Sequence, residues 1–401
     1  MKRFFKTLSV FALIFAVGIF SSIAYGFMEL PNEYHVASGS VPSVEMPIFS
    51  ADTEEISAEE NGEYELNVSA FGLFPVKTAK VTVTQRRYVT VGGDIFGIRL
   101  YTQGVLVVGC DDVQTNQGLV NPAQRAGLKK GDIILKINGS AVSRNNDIAS
   151  AVEKSNGETI ELLVKRGDSN KTVTLLPARS TSDGKLKAGL WVRDSSAGIG
   201  TMTFYDKKTG VFAGLGHAVC DVDTGERLII SGGDAVNACV KGCYKGTQGT
   251  PGELCGVFTH GEIGGLYENC DKGIYGSYIT LPSSKEFPVA LPDEVKEGKA
   301  QIISTVDDNG PKYYDIEITK IYSKSEQQRN MVVKVTDKEL LEKTGGIVQG
   351  MSGSPIVQNG MLVGAVTHVF ISDPTQGYAI FAKNMLDTAD GLAKESLDKA
   401  S

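Results

Sequence analysis

Gly350-Met351-Ser352-Gly353-Ser354-Pro355 is the stretch that decides the fold, because it places a serine between two glycines directly before a β-rich segment. A serine hydroxyl is a useful nucleophile only when a base removes its proton and N–H groups stabilise the oxyanion. The flanking glycines let the loop bend so that the N–H groups of Gly350 and Ser352 point into one pocket. We therefore predict Ser352 as a nucleophile and Gly350 with Ser352 as an oxyanion hole. An ordinary turn is the alternative interpretation.

Four histidines are available as the base. His217 follows the apolar run 211–215 among small residues, so it is the predicted base, with a core histidine as the alternative. His35 lies in a polar stretch near the N-terminus, and His260 precedes a turn and is predicted at the surface. His368 follows the serine loop by one strand, where it either lines a substrate pocket or is structural.

The acid that would orient His217 is the least determined member of the site. Asp221 and Asp223 follow His217 closely in sequence, whereas Asp337 precedes the serine loop. Spacing alone leaves all three open.

Composition sets the broad class. The chain has 401 residues, a net charge of −7 and an ordinary apolar content, which predicts a globular protein of two domains. Its acidic residues are scattered, so nucleic acid is not an expected partner. The six cysteines include Cys239-x-x-x-Cys243, but no second pair or adjacent histidine completes a zinc site. We expect core or disulfide cysteines, with no metal and no cofactor.

The N-terminus carries the pattern of an export signal. Lys2, Arg3 and Lys6 precede an apolar run over residues 8–23, which is followed by small residues up to Gly26. Residues 1–26 are therefore predicted as a signal peptide or membrane anchor, with a buried helix as the alternative. Residues 27–75 are polar, lack a sustained apolar period, and are predicted as a flexible stalk or propeptide.

Residues 76–180 resemble a PDZ domain with preceding strands. The resemblance rests on the run 122–139, in which a short helix ends at Gly127, Gly131-Asp132 turns into an apolar strand, and Asn138-Gly139 forms a tight turn. PDZ domains bind peptides by adding them to a free strand edge. The predicted edge runs from Ile95 to Leu100 and is centred on Ile95, Phe96, Gly97 and Ile98, with a mere spacer domain as the alternative.

Residues 181–401 contain many glycines and short alternating apolar segments, which favour paired β-barrels over a parallel sheet with crossover helices. With the Gly-x-Ser-Gly pattern, these segments resemble a trypsin-like serine protease domain. The predicted fold is therefore mainly β: an N-terminal membrane or signal segment, a PDZ domain, and a chymotrypsin-like double β-barrel protease domain.

The combination of motifs resembles one family, that of stage IV sporulation protein B. The resemblance extends from the N-terminal apolar segment to near the end of the chain. It is carried by the PDZ pattern and by residues 214–218, 336–341, 346–356, 364–370 and 373–375.

The resemblance implies an exported serine endopeptidase with His217 as base, Ser352 as nucleophile and Asp337 as acid. In chymotrypsin the acid comes from the first barrel, whereas Asp337 is close to Ser352 in sequence. Asp337 is alternatively the N-cap of a short helix over residues 338–343.

The resemblance also implies a biological setting. Members of this family are secreted from the forespore into the space between the two spore membranes and cleave themselves. They cut a membrane-bound regulator of an intramembrane protease, which triggers pro-sigma-K processing. The implied partners are that regulator, a second copy of the chain as substrate, and peptide termini at the PDZ domain.

Two other functions fit parts of the pattern. A quality-control protease of the high-temperature-requirement type combines the same domains, but in that type the protease precedes the PDZ domain. A catalytically inactive PDZ scaffold is the second alternative, and labelling by a serine-reactive probe distinguishes it from an enzyme.

Overall fold

The computed structural model describes residues 2–30, 32–38, 48–51, 62–283, 285–322 and 329–400. These residues form two compact units. One unit comprises residues up to 88 together with 288–296, and the other comprises residues 89–287 and 297–401.

The first unit contains a helix and a four-stranded sheet in the order β1-β4-β3-β2. Leu66, Val68 and Ala70 are buried and alternate with less buried residues along β3, and they pack on Val81 and Val83 of β4. Part of the predicted stalk of residues 27–75 is thus regular structure, while residues 39–47 and 52–61 lie outside the described residues. The elements are α1 (Lys2–Glu29), β1 (Glu33–Ala37), β2 (Phe49–Ala51), β3 (Glu63–Ala70) and β4 (Phe74–Thr84).

No helix in the described part of the chain, α1 included, is both long enough and apolar enough to cross a membrane. The membrane segment predicted within residues 1–26 is therefore not supported.

The second unit begins with the strands and helices that surround the PDZ pattern. They are β5 (Tyr88–Val91), β6 (Ile95–Cys110), β7 (Val113–Thr115), β8 (Gly118–Val120), α2 (Pro122–Arg125), β9 (Ile133–Ile137), β10 (Ser140–Ala141), α3 (Asn145–Lys154), β11 (Ile160–Arg166), β12 (Ser169–Leu175), β13 (Ala178–Arg179) and β14 (Leu186–Lys187).

Twelve further strands and two helices follow, and a short 3₁₀ helix (Pro292–Glu294) belongs to the first unit. They are β15 (Leu190–Asp206), β16 (Val211–Gly214), β17 (Ile230–Tyr244), β18 (Glu253–Cys270), β19 (Gly273–Tyr278), β20 (Glu286–Pro288), β21 (Gly298–Ser304), β22 (Lys312–Ile321), β23 (Met331–Val335), α4 (Lys338–Thr344), β24 (Pro355–Gln358), β25 (Met361–Phe370), β26 (Asp373–Phe381) and α5 (Ala382–Ala400).

Six strands close a first barrel in the order β6-β17-β18-β19-β16-β15, and β15 pairs back onto β6. Its interior holds large buried side chains such as Phe96, Met202 and Phe212, which the period-two alternation of these strands directs inward. A second closed barrel follows in the order β21-β22-β23-β26-β25-β24. Two barrels are present, as the sequence predicts.

The PDZ strands are inserted into the first barrel. Residues 95–102 of β6 pair within the barrel, whereas Val105 and Leu106 of the same strand pair with β9. β15 returns beside β6, first along residues 106–110 and then along residues 95–101. Gly104, at φ +83°, lies where β6 passes from one part to the other, and a Cβ there would meet the Ile134 carbonyl oxygen at 2.6 Å.

The predicted peptide-binding edge at Ile95, Phe96, Gly97 and Ile98 is therefore wrong. This segment pairs with β15 on one side and with β17 on the other, so it has no free edge. The edge was predicted because this segment directly precedes the PDZ pattern, but its pairing partners, β15 and β17, are distant in the chain. β6 is shared between the PDZ part and the barrel, so the two parts are continuous within one compact unit, and the boundary at residues 180/181 stays a prediction.

All six cysteines are free thiols in this structure, so the expected disulfides are not formed. Cys110 and Cys220 are exposed and the other four are partly buried, which also places none of them in the fully buried core.

Candidate active site

Residues of both barrels line a cavity of about 550 Å³ that also contains the predicted nucleophile, Ser352. His217 and Ser352 both line it, as does His368. The other contributors include β6 and β15 of the first barrel and the segment 347–350 before the serine. A cavity of this size is typical of a ligand or substrate site.

The serine loop needs glycine for steric reasons. Gly353 has φ +94°, and a Cβ at this position would meet the Thr201 carbonyl oxygen at 2.0 Å and the Leu215 nitrogen at 2.5 Å. Its N–H donates to the Val366 carbonyl oxygen at 2.7 Å. The loop is therefore packed against β15 with no room for a side chain after the serine.

The oxyanion-hole prediction concerns the N–H groups of Gly350 and Ser352. In the described part of the chain, neither N–H donates to a protein acceptor, whereas those of Gln349, Met351 and Gly353 all do. Gly350 and Ser352 line the cavity. Two unsatisfied N–H groups beside a nucleophile are the donors that a developing oxyanion requires.

The Ser352 hydroxyl donates its proton to the Thr367 carbonyl oxygen, with an Oγ to O distance of 2.7 Å. No hydrogen bond joins Ser352 with His217 among the described residues. The nucleophile and base thus share one cavity in a resting arrangement, which is common in enzymes without bound substrate.

Two buried threonines of β15 hold the serine loop, and sequence reasoning missed both. Thr201 donates its hydroxyl to the Gly350 carbonyl oxygen at 2.8 Å and its N–H to the Ser352 carbonyl oxygen at 2.9 Å. Thr203 donates its hydroxyl to the Gly353 carbonyl oxygen at 2.8 Å. The only available signal was a pair of hydroxyl residues in a strand that is otherwise apolar around them.

His217 follows a tight turn in which Leu215 has φ +66°, a strained value for a branched residue. Its Nδ1 lies 2.8 Å from the Ala218 carbonyl oxygen. A carbonyl oxygen only accepts, so Nδ1 carries the proton and Nε2 keeps its lone pair. Burial lowers the pKa of His217 below its usual value, although the bond to Ala218 opposes this shift. The ring is therefore neutral and in the tautomer that a general base requires.

His368 packs beside His217 with 4.7 Å between ring centroids. Burial, then the charge that His217 carries when it is protonated, and then the charge of Arg329 lower the pKa of His368 to about 4. Its Nδ1 is buried without a hydrogen-bond partner among the described residues. His368 thus lines the cavity, as predicted, with one polar atom unsatisfied. His260 is exposed, also as predicted.

Asp337 does not join the other two predicted triad members in this structure. Its carboxylate accepts a hydrogen bond from the N–H of Leu340 at 2.9 Å, as the N-cap of α4, and another from the N–H of Asp315 at 3.3 Å. It does not line the cavity, and no Asp or Glu does in the described part of the chain. The capping alternative describes its position, and its catalytic role stays a prediction.

Asp221 and Asp223, the other two candidates for the acid, also bind groups other than His217. Asp221 is buried and forms an ion pair with Arg193 of β15, which also binds Asp223 at 2.7 Å. Burial opposes ionisation of Asp221, but hydrogen bonds from the Thr224 backbone and from Arg193 prevail and lower its pKa. These carboxylates tie the segment after His217 to β15 and do not contact the imidazole.

Comparison with known families places two matches on the chain. The model described as SpoIVB peptidase S55 matches residues 184–386, and the PDZ domain model matches residues 99–176. The first match covers half of the chain and includes His217, Asp337 and Ser352.

Individual relatives are similar over shorter stretches. Serine protease HTRA1 of Xenopus tropicalis is 39% identical over 56 residues, which cover 14% of this chain and 12% of that protein. A candidate zinc metalloprotease of Vibrio cholerae serotype O1 is 31% identical over 106 residues, covering 26% and 24%. A solved structure titled HtrA-type protease AlgW with tripeptide has 13% identity and a TM-score of 0.31 over 50% of this chain and 57% of that one. The shares are too small to carry over these proteins' activities.

Proposed function

From its membership of the SpoIVB peptidase S55 family, which makes this chain a PDZ-containing serine peptidase, we propose a sporulation signalling endopeptidase with Ser352 as nucleophile and His217 as general base. The observation that carries the site assignment is the shared cavity. Ser352 and His217 line the same 550 Å³ cavity, and so does Gly350. In the described part of the chain, the backbone N–H groups of Gly350 and Ser352 donate to no protein acceptor.

The mechanism follows from the tautomer of His217. Its unprotonated Nε2 takes the proton of Ser352, whose Oγ then attacks the carbonyl carbon of the peptide bond. The N–H groups of Gly350 and Ser352 stabilise the oxyanion that forms. The resulting imidazolium gives its proton to the leaving amine, and a water molecule activated in the same way releases the acyl group.

The Ser352 hydroxyl must change its hydrogen-bond partner before catalysis. It must leave the Thr367 carbonyl oxygen and donate its proton to Nε2 of His217.

The orienting acid is proposed from the resemblance alone, which implies Asp337. In the resting arrangement the Ala218 carbonyl oxygen holds Nδ1 of His217, while Asp337 caps α4. For Asp337 to act as the acid, its carboxylate must exchange the Leu340 N–H for the imidazole.

The proposed setting is the space between the two spore membranes, reached by export from the forespore. There the chain cleaves itself and a membrane-bound regulator of an intramembrane protease, and so triggers pro-sigma-K processing. Support for this setting comes from the family resemblance and from the basic and apolar pattern of residues 1–26.

Self-processing is tested by incubating the Ser352→Ala chain, as substrate, with the active chain and sequencing new N-termini. We expect cleavage between residues 27 and 65, and none when the added enzyme also carries Ser352→Ala. Cleavage that persists with both copies substituted would assign the activity to another nucleophile. An intact substrate in the presence of an enzyme that cuts casein would refute self-processing and leave the peptidase assignment in place.

A further inference from the structure

The catalytic cavity carries no charge on its lining. In the described part of the chain, none of the residues that line it is Asp, Glu, Lys or Arg. Its titratable side chains are His217, His368 and Cys220. Burial lowers the pKa of both histidines, that of His368 to about 4, and raises the pKa of the Cys220 thiol. All three side chains are therefore uncharged near neutral pH.

Two segments flank the nucleophile within this cavity. Residues 347–349 lead into the serine loop, and residues 367–371 contain the Thr367 carbonyl oxygen that accepts from the Ser352 hydroxyl at 2.7 Å. A substrate carbonyl bound by the N–H groups of Gly350 and Ser352 is next to both segments. The residue that supplies this carbonyl is therefore held beside them. We call the space between residues 347–349 and residues 367–371 the specificity pocket.

The walls of the specificity pocket are aliphatic. Ile347 and Val348 are buried in one wall, and Val369 is partly buried in the other. Ile371 also lines the cavity and is 61% exposed. Aliphatic surface that lines a cavity and remains in contact with water is stabilised when an apolar ligand group covers it. The walls therefore favour an apolar side chain.

A third side of the pocket is formed by the connection between β17 and β18. Pro251 of this connection lines the cavity and is partly buried. Two backbone hydrogen bonds attach the connection to both walls: the Gly249 N–H donates to the Ile371 carbonyl oxygen at 2.8 Å, and the Gln349 N–H donates to the Gly252 carbonyl oxygen at 2.8 Å. The connection thus bounds the pocket without adding a charged side chain to it.

A pocket of this kind discriminates between side chains by charge. A charged side chain would lose its hydration there and would find no opposite charge in return, which is unfavourable. An aliphatic side chain would leave water for an aliphatic surface, which is favourable. The two classes of side chain should consequently differ strongly in how well the peptidase accepts them.

We propose that the peptidase cleaves after an uncharged aliphatic residue, whose side chain occupies the specificity pocket beside Val369, and that it rejects Lys, Arg, Asp and Glu at that position. This inference rests on the proposed function and adds the class of substrate to it. Val369 and Ile371 are the residues that determine this specificity, because both line the pocket and neither is fully buried.

The selectivity is tested with four fluorogenic peptides that differ only in the residue before the cut bond, which is Leu, Ala, Lys or Asp. We expect kcat/KM for the Leu peptide to exceed that for the Lys and Asp peptides at least 100-fold. It should exceed that for the Ala peptide about tenfold, since alanine loses contacts in the pocket. Equal or faster cleavage of the Lys or Asp peptide would refute the specificity pocket.

The position of the pocket is tested by introducing a carboxylate. Val369→Asp should raise the ratio of kcat/KM for the Lys peptide to that for the Leu peptide at least thirtyfold, because the pocket then contains an opposite charge. Ile371→Asp, at an exposed position, should raise this ratio in the same direction and decides the test if Val369→Asp does not fold. The matched control is Val257→Asp, an exposed valine of β18 outside the cavity lining, which should leave the ratio within twofold of the parent. An unchanged ratio in Ile371→Asp and in folded Val369→Asp would refute the assigned position.

Binding to the full chain carrying Ser352→Ala separates this inference from the proposed function. The probes are the blocked peptides Ala-Ala-Leu-Ala-Ala and Ala-Ala-Lys-Ala-Ala, measured by isothermal titration calorimetry. We expect the Leu peptide to bind at least tenfold more tightly. Selective binding by a chain whose unmodified form cleaves no peptide would contradict the proposed function and leave the pocket established. Cleavage that prefers a charged residue would overturn the pocket and leave the function in place, and neither binding nor cleavage would overturn both.

Discussion

At the scale of single residues, the serine loop depends on side chains outside its own motif. Thr201 is fully buried, and it bonds both Gly350 and Ser352 through separate atoms. A displacement of the loop by even part of an ångström moves the oxyanion donors relative to the nucleophile. Thr201 is therefore a positioning residue for the proposed reaction.

Replacing Thr201 by Val removes the hydroxyl bond and leaves the Gly350 carbonyl oxygen without its donor. We expect Thr201→Val to lower kcat about tenfold with little change in KM, because only transition-state positioning is lost. Thr201→Ser should restore kcat. The exposed Thr172→Val is the matched control. A loss confined to KM, or no rescue by Ser, would contradict the positioning role.

The protonation state of His217 gives a second prediction at this scale. Only the neutral imidazole accepts the proton of Ser352, and burial lowers its pKa below the usual 6.5. The acidic limb of kcat/KM against pH should therefore have its midpoint below 6.5. Measuring this profile with an uncharged peptide ester tests the assignment. A midpoint above 6.5 would contradict the assignment, because the pKa of the catalytic base would then be higher than burial of His217 allows.

At the scale of elements, α4 has both a sequence signal and a structural role. Asp337 caps its N-terminus and Gly345, at φ +75°, ends it. An N-cap carboxylate typically contributes about 1 kcal/mol. The sequence predicted this helix because capping residues act locally, within three or four positions.

Capping and acid catalysis at Asp337 are separated by comparing two substitutions. Asp337→Ala should lower the free energy of unfolding by about 1 kcal/mol, and Asp337→Ser should restore most of it because serine also caps. Urea unfolding measures both values. If stability is restored in Asp337→Ser but kcat/KM falls a thousandfold, Asp337 is the acid that orients His217. Full activity in Asp337→Ser would assign the carboxylate to capping alone.

For the strand β6, local structure could be predicted from the sequence but strand pairing could not. The segment Ile95 to Leu100 was predicted as a strand edge, and the serine loop and the PDZ helix were predicted from local turn chemistry. Pairing was not predictable in the same way. Residues 95–101 find their partners in β15 and β17, which are remote in sequence, and nothing in the segment itself specifies them. Thr201 and Arg193 were missed for the same reason, since their roles exist only after the strands have paired.

At the scale of the whole molecule, the PDZ part is an insertion in the first barrel, held by two adjacent strands. The Thr102 hydroxyl lies 2.6 Å from the Gly104 carbonyl oxygen and 3.0 Å from the Asp194 carbonyl oxygen, so the two strands are side by side at the point of insertion. The barrel strands on either side are therefore already positioned for a hairpin turn.

Replacing residues 103–193 by Asn-Gly should consequently leave the two barrels able to fold, because this dipeptide suits a two-residue hairpin. We expect a β-type circular dichroism spectrum and one cooperative thermal transition. Loss of the Arg193 to Asp221 ion pair should lower the transition temperature relative to the full chain. A chain that unfolds without a cooperative transition would show that the barrel requires the insertion for its stability.

The central claim is that Ser352 is a nucleophile activated by His217, and covalent labelling tests it most directly. The full chain is treated with a fluorophosphonate probe, digested and mapped by mass spectrometry. The prediction is a single adduct on the Ser352 hydroxyl, strongly reduced in His217→Ala and absent in Ser352→Ala. An unlabelled chain, or an adduct on a different residue, would contradict the claim.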